Sequence, residues 1–323
     1  MPNRILLLLS ICFCVHSASG QQDPVFSHFM FNPYYASPAL TTMDGVSSVS
    51  LISRNQWTGY ETSFENEGGA PTTQFLNYSS LLRIKDTALG IGGTFIYDEL
   101  GPRQDVYVQL SLAYHYDMPR GRVSFGLRPT LVNRRLDFTA LVAVDPDDPT
   151  NFNQLGTESQ FKPDLAGGIA YSTNDYVVAL GVDHLITPAF DYGVDGLAAE
   201  DPQRMVYSLY ASLNYRFSQD VMLVPALLVK TNIDGHSYDV SARAVYQEKL
   251  WVGLSYRDFE AVTFMLGCSF LQDKSLSVGY AFDYTVLNQE YKQATSHELF
   301  VRYNLPTLNS RTKKIIRTPR FRF

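Results

Sequence analysis

An alternation that keeps restarting governs what this chain can become. Segments of about ten residues carry an apolar or aromatic side chain at every second position, then break at a polar turn or a longer loop. From Leu276 to Tyr284 one parity carries Leu276, Val278, Tyr280, Phe282 and Tyr284, and the other Ser277, Gly279, Ala281 and Asp283. Successive strand side chains point to opposite faces, so each segment is greasy on one side and small or polar on the other. The same rule orders Val106 to Tyr116 and Tyr207 to Phe217, and charge falls almost wholly on the polar parity. A soluble sandwich would turn the apolar face inward. A transmembrane barrel turns it to lipid, where a Lys or Arg at the midplane would cost about 2–4 kcal/mol. The 21 Tyr and 20 Phe against 2 Trp, with tyrosines mostly at segment ends, favour the barrel and its aromatic girdles.

Period-two segments run near Val46 to Arg54, Gln74 to Ile84, Ala88 to Tyr97, Asp105 to Tyr116, Arg122 to Val132, Pro163 to Ser172, Tyr176 to His184, Met205 to Phe217, Val221 to Lys230, Tyr238 to Tyr246, Leu250 to Arg257, Ala261 to Leu271, Leu276 to Tyr284 and Ser296 to Tyr303. The expected fold class is therefore all-β: a transmembrane antiparallel β-barrel of the outer membrane, with about 14 strands. Short turns alternate with long loops at 55–73, 133–162, 185–204 and 285–295; short turns belong to the periplasmic side and long loops outside. An even strand count then puts both termini in the periplasm. Pro129 and Pro225 interrupt strand-like runs, and since proline cannot donate to a ladder they are expected at bulges or strand ends near a rim.

Met1 to Gly20 reads as a signal peptide, with Arg4, an apolar run from Ile5 to Val15, and small residues before Gln21. Beyond it no stretch reaches the roughly 18 consecutive apolar residues of a spanning helix. Residues 21–45 are aromatic but irregular, with Phe26, Phe29, Phe31, Tyr34 and Tyr35, and suit a plug in the barrel mouth or a segment ordered by a partner. The barrel is expected over 46–304 and a basic periplasmic tail over 305–323. Cys268 is the one cysteine outside the signal peptide and sits on an apolar parity, as a small lipid-facing residue. A net charge of -6 argues against nucleic acid as a partner.

Several motifs, in order, resemble the PorP/SprF family, outer-membrane proteins of the type IX secretion and gliding machinery of Bacteroidetes. Gln22-Asp23-Pro24-Val25-Phe26-Ser27, Phe31-Asn32-Pro33, Ser37-Pro38-Ala39 and Arg54-Asn55-Gln56-Trp57 open the likeness. It continues through Gly69 to Gln74, Gly90-Ile91-Gly92 with Asp98 to Gly101, Ser124 to Leu127, Phe161 to Asp164, Gly253 to Arg257, Gly279 to Asp283 and Ser296-His297-Glu298. The chain departs at Ser37, where the family usually has Asn, and over Thr41 to Asp44, where an aromatic-Ala-Gly run is usual. The resemblance implies delivery or surface attachment of proteins with a type IX C-terminal signal, such as an adhesin with the type B domain. It also implies contact with periplasmic components of the machinery.

Motifs with a chemical look have plainer readings. In Asp183-His184 and His297-Glu298 the neighbours should point to opposite faces of a strand, so packing outweighs an acid–base dyad. The acidic run Asp145 to Pro149 lacks the order of an EF-hand and reads as a solvated loop. Gly90 to Gly93 lies within a strand and opens no helix, so it is no phosphate loop. No catalytic residue, cofactor or metal site is expected. Partner-binding candidates are the loop aromatics Trp57, Tyr60, Phe138 and Phe152, taken as exposed, and the tail residues Arg317, Arg320, Phe321 and Phe323, of types that anchor interfaces. The function expected is a non-enzymatic outer-membrane barrel that binds or anchors a secreted protein, with outer-membrane lipid around it. The alternative is a passive channel or small-molecule transporter.

Overall fold

In a computed structural model that describes residues 23–60, 69–84, 87–140, 156–192, 199–233, 235–258, 260–271, 273–287 and 292–306, the alternating segments are strands with one greasy face outward. The strands are β1 (Ser48–Asn55), β2 (Thr72–Ile84), β3 (Thr87–Leu100), β4 (Arg103–Met118), β5 (Gly121–Asp137), β6 (Thr157–Ser172), β7 (Tyr176–Asp183), β8 (Ala189–Tyr192), β9 (Ala199–Pro202), β10 (Val206–Leu213), β11 (Tyr215–Arg216), β12 (Val221–Thr231), β13 (His236–Tyr246), β14 (Leu250–Arg257), β15 (Ala261–Phe270), β16 (Leu276–Thr285) and β17 (Thr295–Asn304). Every neighbouring pair is antiparallel, and β1 pairs with β17 to close the ring. β8 and β9 form a separate hairpin, and β10 and β11 are one barrel strand interrupted at Asn214. The barrel has 14 strands, and each expected segment has its counterpart.

The parity rule sets the two faces. On β4, Val108, Leu110, Leu112, Tyr114 and Tyr116 are exposed, while Tyr107, Gln109, Ser111, Ala113 and His115 are buried toward the lumen. The hairpin chemistry is local: in the three residues between β13 and β14, Gln247 and Glu248 both have positive φ, 50° and 54°, and Lys249 N–H closes the turn on the Tyr246 carbonyl at 2.9 Å.

The prolines correct their expected placement. Pro129 lies mid-β5 opposite Leu165, and the β4 ladder skips from Gln109↔Thr130 to Leu112↔Leu127 with register unchanged. Pro225 lies mid-β12 opposite Ala242, and the same register links Ser212↔Ala226 and Tyr215↔Leu223 around it. Each proline thus deletes one donor on one side without a bulge, and the second gap is what splits β10 from β11.

Residues 23–45 lie inside the barrel as three single-turn 3-10 helices, Phe29–Phe31, Pro33–Tyr35 and Pro38–Leu40, with extended links. The path of this segment is fixed by contacts near its two described ends; the chain termini themselves, expected in the periplasm, lie outside the described residues. Ser48 and Asn304 are paired at the short-turn rim, as an even count requires. Just before them Asp44 meets Arg302 at 2.6 Å, and Arg122, near the start of β5, donates to the Met43 carbonyl at 3.2 Å. Asp23, by contrast, reaches His184, past the end of β7 at the long-loop end. The segment before β1 therefore runs back along the lumen, and the two described chain ends do not share a rim. The signal peptide and the basic tail from residue 307 onward lie outside the described residues.

Candidate functional site

The lumen segment rests on a track of inward glycines. A Cβ on Gly126 of β5 would lie 2.1 Å from the Ala39 nitrogen, on Gly168 of β6 2.2 Å from Ser37 Oγ, on Gly181 of β7 2.0 Å from the Ala36 carbonyl oxygen, and on Gly90 of β3 2.3 Å from the Thr41 carbonyl oxygen. Only hydrogen fits at these points, so the backbone of 36–41 lies flush on the wall. Ala39 is 0% exposed. On the opposite wall Phe31 packs against Trp251 and Phe300 at ring distances of 4.9 and 4.7 Å, and the Arg243 guanidinium sits 4.2 Å over the Phe31 ring.

Near the long-loop end a buried ionic latch grips the segment. Glu298 of β17 accepts from the Ser27 and His28 backbone N–H groups at 2.7 and 2.8 Å, and contacts His28 Nδ1 at 2.7 Å. Ser27 Oγ donates to Asp283 of β16 at 2.7 Å and accepts from Arg54 of β1 at 2.5 Å. Arg54 also pairs with Asp283 at 2.8 Å and Glu298 at 3.2 Å. Arg257 of β14 pairs with Asp239 at 2.7 Å and donates to the Phe26 carbonyl at 3.3 Å. Such groups are tolerable away from water only because nearly every charge has a partner.

A second set holds the start of the segment. His184 bridges Asp164 at 2.7 Å and Asp23 at 3.0 Å. Arg128 pairs with Asp183 and donates to the Tyr34 and Tyr35 carbonyls at 2.9 and 3.1 Å. This corrects the opposite-face reading of Asp183-His184: His184 has φ 58°, which takes it out of strand alternation, and both side chains join lumen contacts. For His297-Glu298 the alternation holds, with His297 against Tyr280 Oη at 2.6 Å and Glu298 1% exposed. The space left beside Asp23, Arg128 and His184 is about 20 Å³, room for about one water.

The β8–β9 hairpin closes over the inner face of β5 and β6 at the long-loop mouth. Phe190 is 0% exposed under the Arg134 guanidinium, 4.2 Å from its ring. Arg134 pairs with Asp105 at 3.0 Å and with Asp201 of the hairpin at 2.5 Å. Phe138 belongs to this packing, not to an exposed surface: it is 5% exposed, 6.2 Å from Tyr192. The hairpin covers it, and two strands of four residues inside a long loop gave no alternation to reveal that. Trp57 and Tyr60 are partly exposed at the mouth, 6.0 Å apart, with Lys292 Nζ 5.2 Å from the Trp57 ring. Phe152, Arg317, Arg320, Phe321, Phe323 and the run Asp145 to Pro149 lie outside the described residues.

The sequence reading missed Ser27, Arg54, Asp283 and Glu298. Their signal was charge on the lumen parity at the same ends of β1, β16 and β17, which a barrel brings to one level.

A search of curated proteins returns no match. Among solved structures the chain is similar to the CymD monoaromatic hydrocarbon channel, at 14% identity and TM-score 0.49 over 89% of this chain and 95% of that one. It is similar to a Pseudomonas aeruginosa FadL homologue at 10% and 0.47, over 88% and 95%, and to the Acinetobacter baumannii outer membrane protein Omp33 at 8% and 0.45, over 81% and 100%. The family model for type IX secretion system membrane proteins PorP/SprF matches residues 18–303, and the chain belongs to that family as an outer-membrane component of type IX secretion.

Proposed function

We propose that this barrel is a non-enzymatic, plugged platform that holds a secreted protein at the cell surface through its long-loop mouth, and that it does not pass solutes. The observation that carries the reading is the lumen segment 23–45, seated on glycines and latched at both ends of its path. A diffusion channel needs an open lumen, and here the wall's polar groups are used on the protein's own chain. The secreted protein would be one with a type IX C-terminal signal, such as an adhesin with the type B domain. The mouth aromatics Trp57 and Tyr60 would contribute to its contact surface, and the basic tail 305–323 would meet periplasmic components.

The test is purification from native membranes in mild detergent, with the same material placed in planar bilayers. A secreted protein bearing the type IX signal should accompany the barrel in near-stoichiometric amount, and the bilayer should stay silent. Steady ion conductance with no secreted companion would replace this reading with the channel.

A further inference from the structure

The barrel wall is uneven. β5 runs to Asp137 and β6 begins at Thr157, paired along their whole length from Asp137↔Thr157 to Arg122↔Ser172. On its other side β6 pairs with β7 only from Gly167↔Val182 to Ser172↔Val177, and Leu185 N–H then donates to the Leu165 carbonyl at 2.9 Å. Above that point, among the described residues, β6 has no ladder partner on the β7 side. The β8–β9 hairpin does not fill the gap, since it touches β6 through the Gln160 side chain and Asp191.

Parity identifies the free groups. Leu165 directs its carbonyl toward β7, so Pro163, Phe161, Ser159 and Thr157 direct theirs the same way, with the N–H groups of Phe161, Ser159 and Thr157 beside them. Pro163 fits this frame: its missing donor faces the open side and costs the β5 ladder nothing. The outward faces fix the height. The apolar band of β5 ends at Leu131, opposite Pro163, and above it stand Asn133, Arg135 and Asp137 opposite Phe161, Ser159 and Thr157. Open backbone is not tolerated in hydrocarbon, and this stretch stands past the apolar band, on the long-loop side. Phe161 is 67% exposed there.

We propose that the free edge of β6 from Thr157 to Pro163 is the docking strand for an extended segment of the secreted partner, added to the sheet by backbone hydrogen bonds with Phe161 against an apolar residue. Three donors, at Thr157, Ser159 and Phe161, and four acceptors, with Pro163 added, in one row accept only an extended chain, and an edge with no bulge or covering element among the described residues is a template for one. The inference rests on the surface-anchoring reading above and names its contact.

A photo-crosslinking amino acid placed in turn at Thr157, Ser159 and Phe161 in cells tests it, with Leu131 as a lipid-facing control. The expected adducts are peptides of a secreted protein bearing the type IX signal, linked at partner positions that step by two residues as the probe steps by two. Phe161→Pro, alone and with Ser159→Pro, removes only open-side donors and spares the β5 ladder. These variants should lower partner recovery at least tenfold at unchanged barrel level and unchanged heat-modifiable migration. Phe161→Ala should lose less. Partner recovered in full with the proline variants, or adducts only to this chain or a second copy of it, would overturn the edge proposal and leave surface anchoring standing. No secreted protein recovered with any variant, the wild type included, would overturn both.

Discussion

Replacing Glu298 by Ala should release the lumen segment. Its carboxylate receives two backbone N–H groups and pairs with a guanidinium that is 1% exposed. A buried donor left unpaired costs about 1–3 kcal/mol, and breaking a buried ion pair from one side about 3–5 kcal/mol. The terms overlap because Asp283 still holds Arg54 at 2.8 Å and water can enter. We expect a loss of about 5 kcal/mol in docking, which raises the population with 26–32 undocked by roughly 10³–10⁴-fold. Amide exchange in nanodiscs reads it directly, as faster exchange at residues 27 and 28 and at the 3-10 turns that follow. Planar bilayers read it as intermittent conductance. Removing both partners, with Arg54→Leu and Glu298→Leu together, should be milder than the two single changes summed, since neither member of that pair is left facing an empty site, and the cost that remains is Asp283 held by Ser27 Oγ without its guanidinium. If Glu298→Ala left exchange over 26–32 at the wild-type rate, the latch would not be what holds the segment.

Gly126→Val should lift residues 36–41 off the wall, because a Cβ there falls 2.1 Å from the Ala39 nitrogen, whereas Gly93→Val, which meets nothing within 4 Å, should be silent; limited proteolysis of the segment separates the two. Leu110→Arg on the lipid face, at a position 61% exposed, should lower stability in lipid vesicles by about 2–4 kcal/mol if near the midplane, seen as a lower urea midpoint. His184 lies past the end of β7; burial alone would lower its pKa, but the Asp23 and Asp164 carboxylates outweigh burial and hold it at about 10 against an ordinary 6.5. A raised pKa gives stability that is complete below the unfolded value and lost as pH rises through the folded one. The urea midpoint should therefore fall between about pH 6.5 and 10 in the wild type and stay flat across that window in His184→Gln.

The parts of the fold legible in the sequence are those that touch hydrocarbon. Val108, Leu110 and Leu112 announce β4 because lipid demands an apolar residue at every outward position. The same demand ends at the rim, which is why the upper parts of β5 and β6, with Arg134, Arg135, Glu158 and Lys162 on either face, read as loop although they are paired strand. Pro225 was visible, but its effect depends on which neighbour lies on its donor side, and only the sheet order settles that. The latch was hidden for a different reason: Ser27 and His28 meet partners 256 to 271 residues away, and nothing local in Phe26-Ser27-His28 distinguishes a chain held in a lumen from one held by another protein.

That distance brings the latch to the seam of the barrel. Arg54 and Glu298 are directly opposite in the register of β1 with β17, the pair of strands that closes the ring, and Ser27 bonds to both. Closure sets a guanidinium and a carboxylate across the join on the lumen face, and the buried segment excludes the water that would otherwise solvate and weaken that pair. The backbone N–H groups of Ser27 and His28 then occupy the carboxylate positions that Arg54 leaves open. The segment is joined to β1 through 45–47, so one continuous piece of chain supplies both a seam strand and the filling beside it. Seam and plug thus draw on the same charges, and weakening either loosens the other. That coupling places a buried ion pair at the junction where a closed sheet would otherwise part.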